Sequence, residues 1–421
     1  MRQCVQLLWA FLCVLQSAAL QAADWPQYRG PDQTGCSADT LNWPAAGPKA
    51  VWKIPTETGF SSFAVAGGKA FTQVVRNVGG APRESCLAVD AATGKELWCA
   101  DLAIGKYDGS GNTGAPNNSG GDGPRSTPTV NDGLVYCFTP DLVLYCLDAG
   151  TGKPAWTKDL VKAHAGQNIG WKSAASPVVD GDAVFVAAGG AGQSMLAFNK
   201  KSGELVWKSG SEKITHATPV VATILDVRQV IYFMQSGLVA VAAKDGKELW
   251  RFPYRYNVST AASPVVSGDI VYCSAGYGVG GGACKISKDG DNFKATELYK
   301  GVAAAINHWS TPCCKDGCLY GMFSFKAWGT GPMKCVELAT GKVKWEQPGF
   351  GAGQAILVGD KVVGLSDTGE VVIVEAKPDG YKEVARFKAV TGKCWSTPAY
   401  CDGRLYVRST KEGACLDVSG K

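Results

Sequence analysis

One eleven-residue pattern recurs five times along this chain. Residues 88–98 read AVDAATGKELW, and the pattern returns at 146–156 (CLDAGTGKPAW), 197–207 (AFNKKSGELVW), 240–250 (AVAAKDGKELW) and 335–345 (CVELATGKVKW). Self-similarity at a fixed period decides an architecture before any single residue is weighed. Each copy reads as the end of an apolar strand, a polar turn and a second strand carrying Trp. Asp or Asn ahead of Thr-Gly supplies acceptors for the turn amides, and Gly takes the positive φ that such a turn needs. A Trp four residues past the Gly in all five copies is too large to stay exposed each time, so it is expected to pack between neighbouring units.

A second marker precedes the pattern: STPTV at 126–130, ASPVV at 175–179, ATPVV at 217–221, ASPVV at 262–266, STPCC at 310–314 and STPAY at 396–400. A turn and another apolar run follow each marker, so one unit comprises four strands. The unit repeats roughly every 42 to 49 residues, judged by the marker prolines. Four-stranded units of this length predict a β-propeller. Degenerate copies complete the count. Blade one starts near Ser61-Ser62-Phe63, blade five has a weakened turn at Asp289-Gly290 with Leu298 or Tyr299 in place of Trp, and blade seven runs from about Gly353 to Phe387. The chain stops where the outer strand of blade eight should begin, whereas Val51-Trp52-Lys53 reads as an outer strand lacking a third strand before it. The expectation is therefore an all-β, eight-bladed propeller of four-stranded antiparallel blades, its last blade closed by the N-terminal strand. That join leaves no open ring edge.

Met1-Arg2, an apolar run from Val5 to Leu15 and a small-residue stretch ending Ala22-Ala23 read as a secretory signal peptide over residues 1–23. The run is too short for a typical span, and no Cys follows the cleavage region to carry a lipid. The expected mature protein is one domain over residues 24–421, exported to the periplasm or beyond, with no transmembrane anchor. The longest loop, Ile104 to Pro124, is rich in Gly and Asn. Lys and Arg number 42 against 37 Asp and Glu and are spread through turns, so nucleic acid is not an expected partner.

Sixteen Cys is a high count, and export permits disulfides. No Cys-x-x-Cys is present, so zinc and c-type haem lack a local signature. Cys146, Cys284, Cys335 and Cys415 fill the slot that holds Ala88, Ala197 and Ala240, where a small buried side chain is wanted. Cys137 with Cys146, and Cys273 with Cys284, become disulfides if their sulfurs meet across the hairpin. Cys313-Cys314 fills positions that are Val-Val in other blades, and alternation along a strand disfavours a ring between adjacent residues.

The Ala-x-Asp-x-x-Thr-Gly-x-x-x-Trp copies resemble the tryptophan-docking motif of the pyrroloquinoline quinone (PQQ) repeat propellers. The opening Asp24-Trp-Pro-Gln-Tyr-Arg-Gly30-Pro31, the stretch Gly123-Pro-Arg125-Ser-Thr-Pro128 and Ser274-Ala-Gly-Tyr277-Gly-Val-Gly280 are similar to an exported subgroup of that family. The resemblance covers nearly the whole mature chain and implies two functions. Quinoprotein alcohol dehydrogenases hold PQQ and calcium over the propeller axis, use an Asp base and carry a ring disulfide of adjacent Cys beside the cofactor. Outer-membrane assembly lipoproteins use a similar ring to bind a partner protein without a cofactor. The dehydrogenases' calcium ligands and Asp base find no residue-by-residue match here.

In a propeller the residue two before each marker Ser or Thr should sit at one level of the ring. In blade order these are Phe60, Arg125, Ala174, His216, Ala261, Trp309, about Ala352 and Trp395. Arg125, His216, Trp309 and Trp395 break the pattern of small residues, and Asn168, Trp171, Lys172, Tyr277, Asn307 and His308 are their neighbours. Arg offers paired hydrogen bonds to a carboxylate, Trp a stacking face, and His308 an acid or base near neutral pH. The alternative is that the Trp side chains plug the channel and Arg125 pairs with a loop carboxylate. The leading expectation is a non-enzymatic envelope module that binds a protein or small ligand on this face, with no metal site. The second is a quinoprotein dehydrogenase for an alcohol or sugar, with PQQ and calcium.

Overall fold

The computed structural model describes residues 24–105, 123–258, 260–324 and 327–420. The predicted signal peptide and most of the Ile104–Pro124 loop lie outside the described residues. Eight sheets of consecutive strands form the ring, and apart from one added parallel strand every pairing between strands is antiparallel. Their inner strands are Ala64–Ala66, Thr129–Asn131, Val178–Asp180, Val220–Ile224, Val265–Ser267, Cys313–Lys315, Gln354–Val358 and Ala399–Cys401. Blade eight takes its outer strand from the N-terminus: Lys49–Pro55 pairs antiparallel with Glu412–Asp417. The expected closure is thus present. Trp52 from the joining strand packs against Phe63 and Tyr406 at ring-centroid separations of 6.0 and 5.9 Å, fastening blade eight to blade one.

The repeated turn works as its residues dictate. Asp90 Oδ1 accepts the amides of Ala92 and Thr93 and the Thr93 hydroxyl, and Asp148 does the same in blade two. The following Gly lies under the Trp of the preceding blade. At Gly203, with φ +70°, an added Cβ would sit 2.7 Å from the Trp156 ring. Each docked indole donates to a carbonyl of the next blade: Trp52 to Ala91, Trp98 to Ala149, Trp156 to Lys200, Trp207 to Ala243 and Trp345 to Lys377. Blade five is the exception on both sides. Trp250, facing its long third hairpin, donates to Gln229 of its own blade, and Tyr299 takes the docking slot over Gly341.

The hydroxyl of the Ser/Thr-Pro marker has a structural task of its own. Ser62 N donates to Thr127 Oγ1, Thr127 N to Ser176 Oγ, Ser176 N to Thr218 Oγ1, Ser263 N to Thr311 Oγ1 and Thr397 N to Ser62 Oγ, at 2.8–3.1 Å. Gln354 stands in for the hydroxyl in blade seven and accepts from Thr397 Oγ1. The marker residues therefore link blade to blade around the channel, satisfying amides that lie just ahead of the inner strands and outside any strand pairing.

Cys146, Cys284, Cys335 and Cys415 are fully buried, as the small-residue slot requires. The two hairpin disulfides do not form. Cys146 lies opposite Tyr136 and Cys137 opposite Tyr145, so the thiols point to opposite faces. Cys273 lies opposite Gly282 and Cys284 opposite Val271. Strand alternation also separates Cys313 from Cys314, and every described cysteine is a free thiol. No helix among the described residues is long and apolar enough to cross a membrane.

The N-terminal segment does more than close the ring. Before reaching blade eight it lies across the inner strands at the hairpin end of the channel. Trp25 pairs with Val65 of blade one, and Pro26 O accepts from Val130 of blade two. Gln33 is bonded through both side-chain ends to Pro219 O and Val221 N of blade four. Arg29, 2% exposed, donates to Thr311 O and Pro312 O of blade six. Cys36–Ser37 then runs parallel to Leu357–Val358, making blade seven five-stranded.

Candidate functional site

With one end of the channel crossed by the chain's own N-terminus, the other end carries the eight residues that precede the markers. Phe60 is stacked on Trp395, with ring centroids 5.1 Å apart and planes 25° apart. Trp395 meets Trp309 at 4.4 Å, Trp309 meets His308 at 4.3 Å, and His308 meets Tyr277 edge-on at 5.2 Å. The result is one aromatic arc from blade one through blade eight to blades six and five. Trp309 and Trp395 are half-buried, whereas Phe60 and His308 are buried. Trp309 is held by a 3.0 Å hydrogen bond from its indole to Ala352 O. Gln354 Nε2 ties the backbones of both tryptophans together through Trp309 O and Trp395 O.

Two further residues of this arc escaped the sequence reading. Lys393 is buried with its ammonium 4.6 Å from the Trp395 ring centroid, and burial pulls its pKa down to about 8. Asp367, also buried, accepts the Ala352 amide at 2.9 Å and the Gly329 amide at 3.1 Å. Burial pushes its pKa up to about 6. Gly351 (φ +64°) has no room for a side chain, since a Cβ would fall 1.9 Å from the Asp367 carboxylate. Both residues lie off the ring level that precedes the markers. Lys393 is two before Trp395, and Asp367 occupies the loop of blade seven that corresponds to Asp141 in blade two.

The opposite side of the rim is polar. Arg125 Nη1 donates to Trp171 O at 3.0 Å, and His216 Nε2 donates to Gly170 O at 3.0 Å. Trp171 and Lys172 both have positive φ, 64° and 61°, a region that costs bulky residues energy. Arg125 and His216 thus clamp a strained turn from below. Lys172 reaches Asp141 at 3.0 Å, and Asn168 donates to Pro140 O at 2.7 Å, so this loop is also fastened to the loop of blade two. Burial, aided by the Arg125 charge, pulls the His216 pKa down to about 4, leaving it neutral at physiological pH. Asn307 is fully buried and committed to Tyr272, Ser274 and Met322, so it supports the arc from beneath. The structure accordingly brings Tyr277, His308, Trp309 and Trp395 into one arc and Arg125, Trp171, Lys172 and His216 into one clamp across the ring.

A family model described as outer membrane protein assembly factor BamB matches residues 82–305. The quinoprotein alcohol dehydrogenase PedH of Pseudomonas putida is 32% identical over 129 residues, which are 28% of this chain and 19% of PedH. The chain thus matches about a fifth of the length of that relative. Among solved structures, BamB from Moraxella catarrhalis superposes with a TM-score of 0.58 at 16% identity, covering 88% of this chain and 99% of that one. The quinohemoprotein alcohol dehydrogenase from Comamonas testosteroni superposes with a TM-score of 0.65 at 14% identity, covering 94% and 81%. At such identities the superpositions establish the fold alone. The family model spans more than half of the chain, and the turn, docked Trp and eight four-stranded units are those of PQQ-type repeats, so this protein belongs to the PQQ-like propeller family that includes the outer membrane protein assembly factor BamB.

Proposed function

We propose that this protein is an exported, non-catalytic binding module whose channel face, between the aromatic arc and the Arg125–His216 clamp, receives a flat or aromatic group of a partner protein or small ligand. The observation that carries this reading is the half-buried Trp309–Trp395 pair beside Lys393, set in a ring level where Ala174, Ala261 and Ala352 are small. Large rigid aromatics fixed by Gln354 and by Ala352 lose little entropy when a ligand stacks on them. A cation beside them favours an occupant that carries a carboxylate.

Its test is direct. Trp309→Ala and Trp395→Ala should each weaken capture of an envelope protein or ligand about tenfold or more, the loss expected of an interface anchor. Trp207→Ala, on the outer side of the ring, should leave capture by the folded fraction unchanged. Equal capture by wild type and both face variants would overturn the reading.

Quinone-dependent dehydrogenation is the second reading, supported by the local likeness to PedH. The arc offers faces for a tricyclic ring, but the residues do not fit the metal. Among the described residues no three His, Cys, Asp or Glu side chains converge as a metal site, and the Asp367 oxygens are taken by backbone amides. Addition of PQQ with calcium should therefore produce no stoichiometric spectral change and no thermal shift. Tight uptake would replace the binding-module reading with this one.

A further inference from the structure

The segment that crosses the channel carries a cysteine onto a cysteine. Cys36, in the two-residue strand added to blade seven, is half-buried. Cys313 begins the inner strand of blade six and is fully buried. Cys36 packs against the apolar cluster that holds Cys313, and its Sγ lies 3.9 Å from Cys314 O, the residue next to Cys313. Around Cys313 Sγ lie Gly35 O at 3.4 Å, Ala355 O at 3.5 Å and the guanidinium Nη2 of Arg29 at 3.7 Å. The interaction with Cys36 and the Arg29 charge pull the Cys313 pKa down to about 7, while the same interaction and burial push that of Cys36 up. A cleft of about 250 Å³ between this segment and blades four and five is lined by Arg29, Thr34 and Cys314, which brings solvent to the residues adjoining the pair.

We propose that Cys36 and Cys313 form a redox-controlled disulfide that locks the N-terminal segment across the channel. The oxidant is an external disulfide, R–S–S–R. Cys36, the less buried of the two, gives up its proton as it attacks, forms a mixed disulfide and releases the first RS⁻, which takes that proton. The Cys313 thiolate then attacks Cys36 Sγ, forming the Cys36–Cys313 bond and releasing the second RS⁻, which takes the proton lost by Cys313. Two thiols are oxidised and one external disulfide is reduced to two thiols. In the reduced protein the segment is held by hydrogen bonds from Arg29 and Gln33. In the oxidised protein it is covalently tied to blade six, and the ring-closing strand that follows it is tied as well. Cys86 and Cys137, also neighbouring thiols, lie fully buried in an apolar cluster and serve as an internal comparison.

The full chain, purified reduced, is incubated with glutathione disulfide, alkylated in denaturant and digested without reduction. The expected products are a linked Cys36–Cys313 peptide, a loss of two free thiols per chain, and a thermal midpoint several degrees above that of the reduced protein. Cys36→Ala should lose no free thiol and gain no stability under the same treatment. Recovery of Cys36 and Cys313 as separately alkylated peptides, or a Cys86–Cys137 link in their place, overturns the proposal. A linked peptide with an unchanged midpoint overturns the locking role.

Discussion

His216 couples the channel face to pH. Its folded pKa of about 4 lies below its ordinary value of 6.5. Stability from the neutral ring is therefore fully present above about 6.5 and is lost as pH falls toward 4. The full effect is on the order of 3 kcal/mol. His216→Gln keeps a donor for Gly170 O, so its unfolding free energy should fall less steeply than wild type between pH 6.5 and 4 in urea titrations. Parallel slopes would count against the assignment. Asp367 works the other way. With its pKa raised to about 6, its contribution is fully present below the unfolded value near 3.8 and is lost as pH rises through 6. Asp367→Asn should flatten that part of the profile. Arg125, His216, Trp309 and Trp395 were legible because they break a periodic pattern. Asp367 was not, because the amides it accepts belong to Ala352 and Gly329, 15 and 38 residues before it in sequence, and Lys393 was not, because it lies two residues ahead of the ring-level position that Trp395 fills.

Within a blade the repeat's own residues carry most of the order. Trp207 is buried and bonded to Ala243 O, and Trp207→Ala should cost about 3–5 kcal/mol by opening the seam between blades three and four. Two glycines separate conformational need from steric need. Gly133 (φ +76°) has nothing within 4 Å of an added Cβ, whereas at Gly203 (φ +70°) that Cβ would strike the Trp156 ring. Gly133→Ala should cost about 1–2 kcal/mol from backbone strain alone, and Gly203→Ala clearly more. Equal losses in denaturant unfolding would refute the docking account. The Asp-Gly turns, the Trp slot and the Cys-for-Ala substitutions were all readable because they depend on local chemistry repeated in register. The hairpin disulfides were misjudged as open possibilities because the pairing register, which puts Tyr136 opposite Cys146, is fixed by the turn and not by the identity of the cysteines.

Ring closure joins the two ends of the chain, and Arg408 reinforces the join. Fully buried, it donates to Thr72 Oγ1 and to the carbonyls of Gln73, Thr56 and Gly59, bridging blade eight, the incoming strand's exit and blade one. Removing residues 24–55 should leave Glu412–Asp417 as an open edge, and the truncated chain should aggregate on size-exclusion chromatography. A monomeric, cooperatively unfolding truncated chain would contradict the closure. The eight blades, their boundaries and this join follow from sequence, since strand period, turn residues and a docked Trp are local signals repeated in five clear copies and several weakened ones. What the sequence could not convey is where the segment between Asp24 and Ser37 goes. Its hydrogen bonds to blades four and six, its strand on blade seven and the meeting of Cys36 with Cys313 all join residues far apart in the chain. Such contacts exist only after the ring has formed a channel for that segment to cross, so they carry no periodic trace in the sequence.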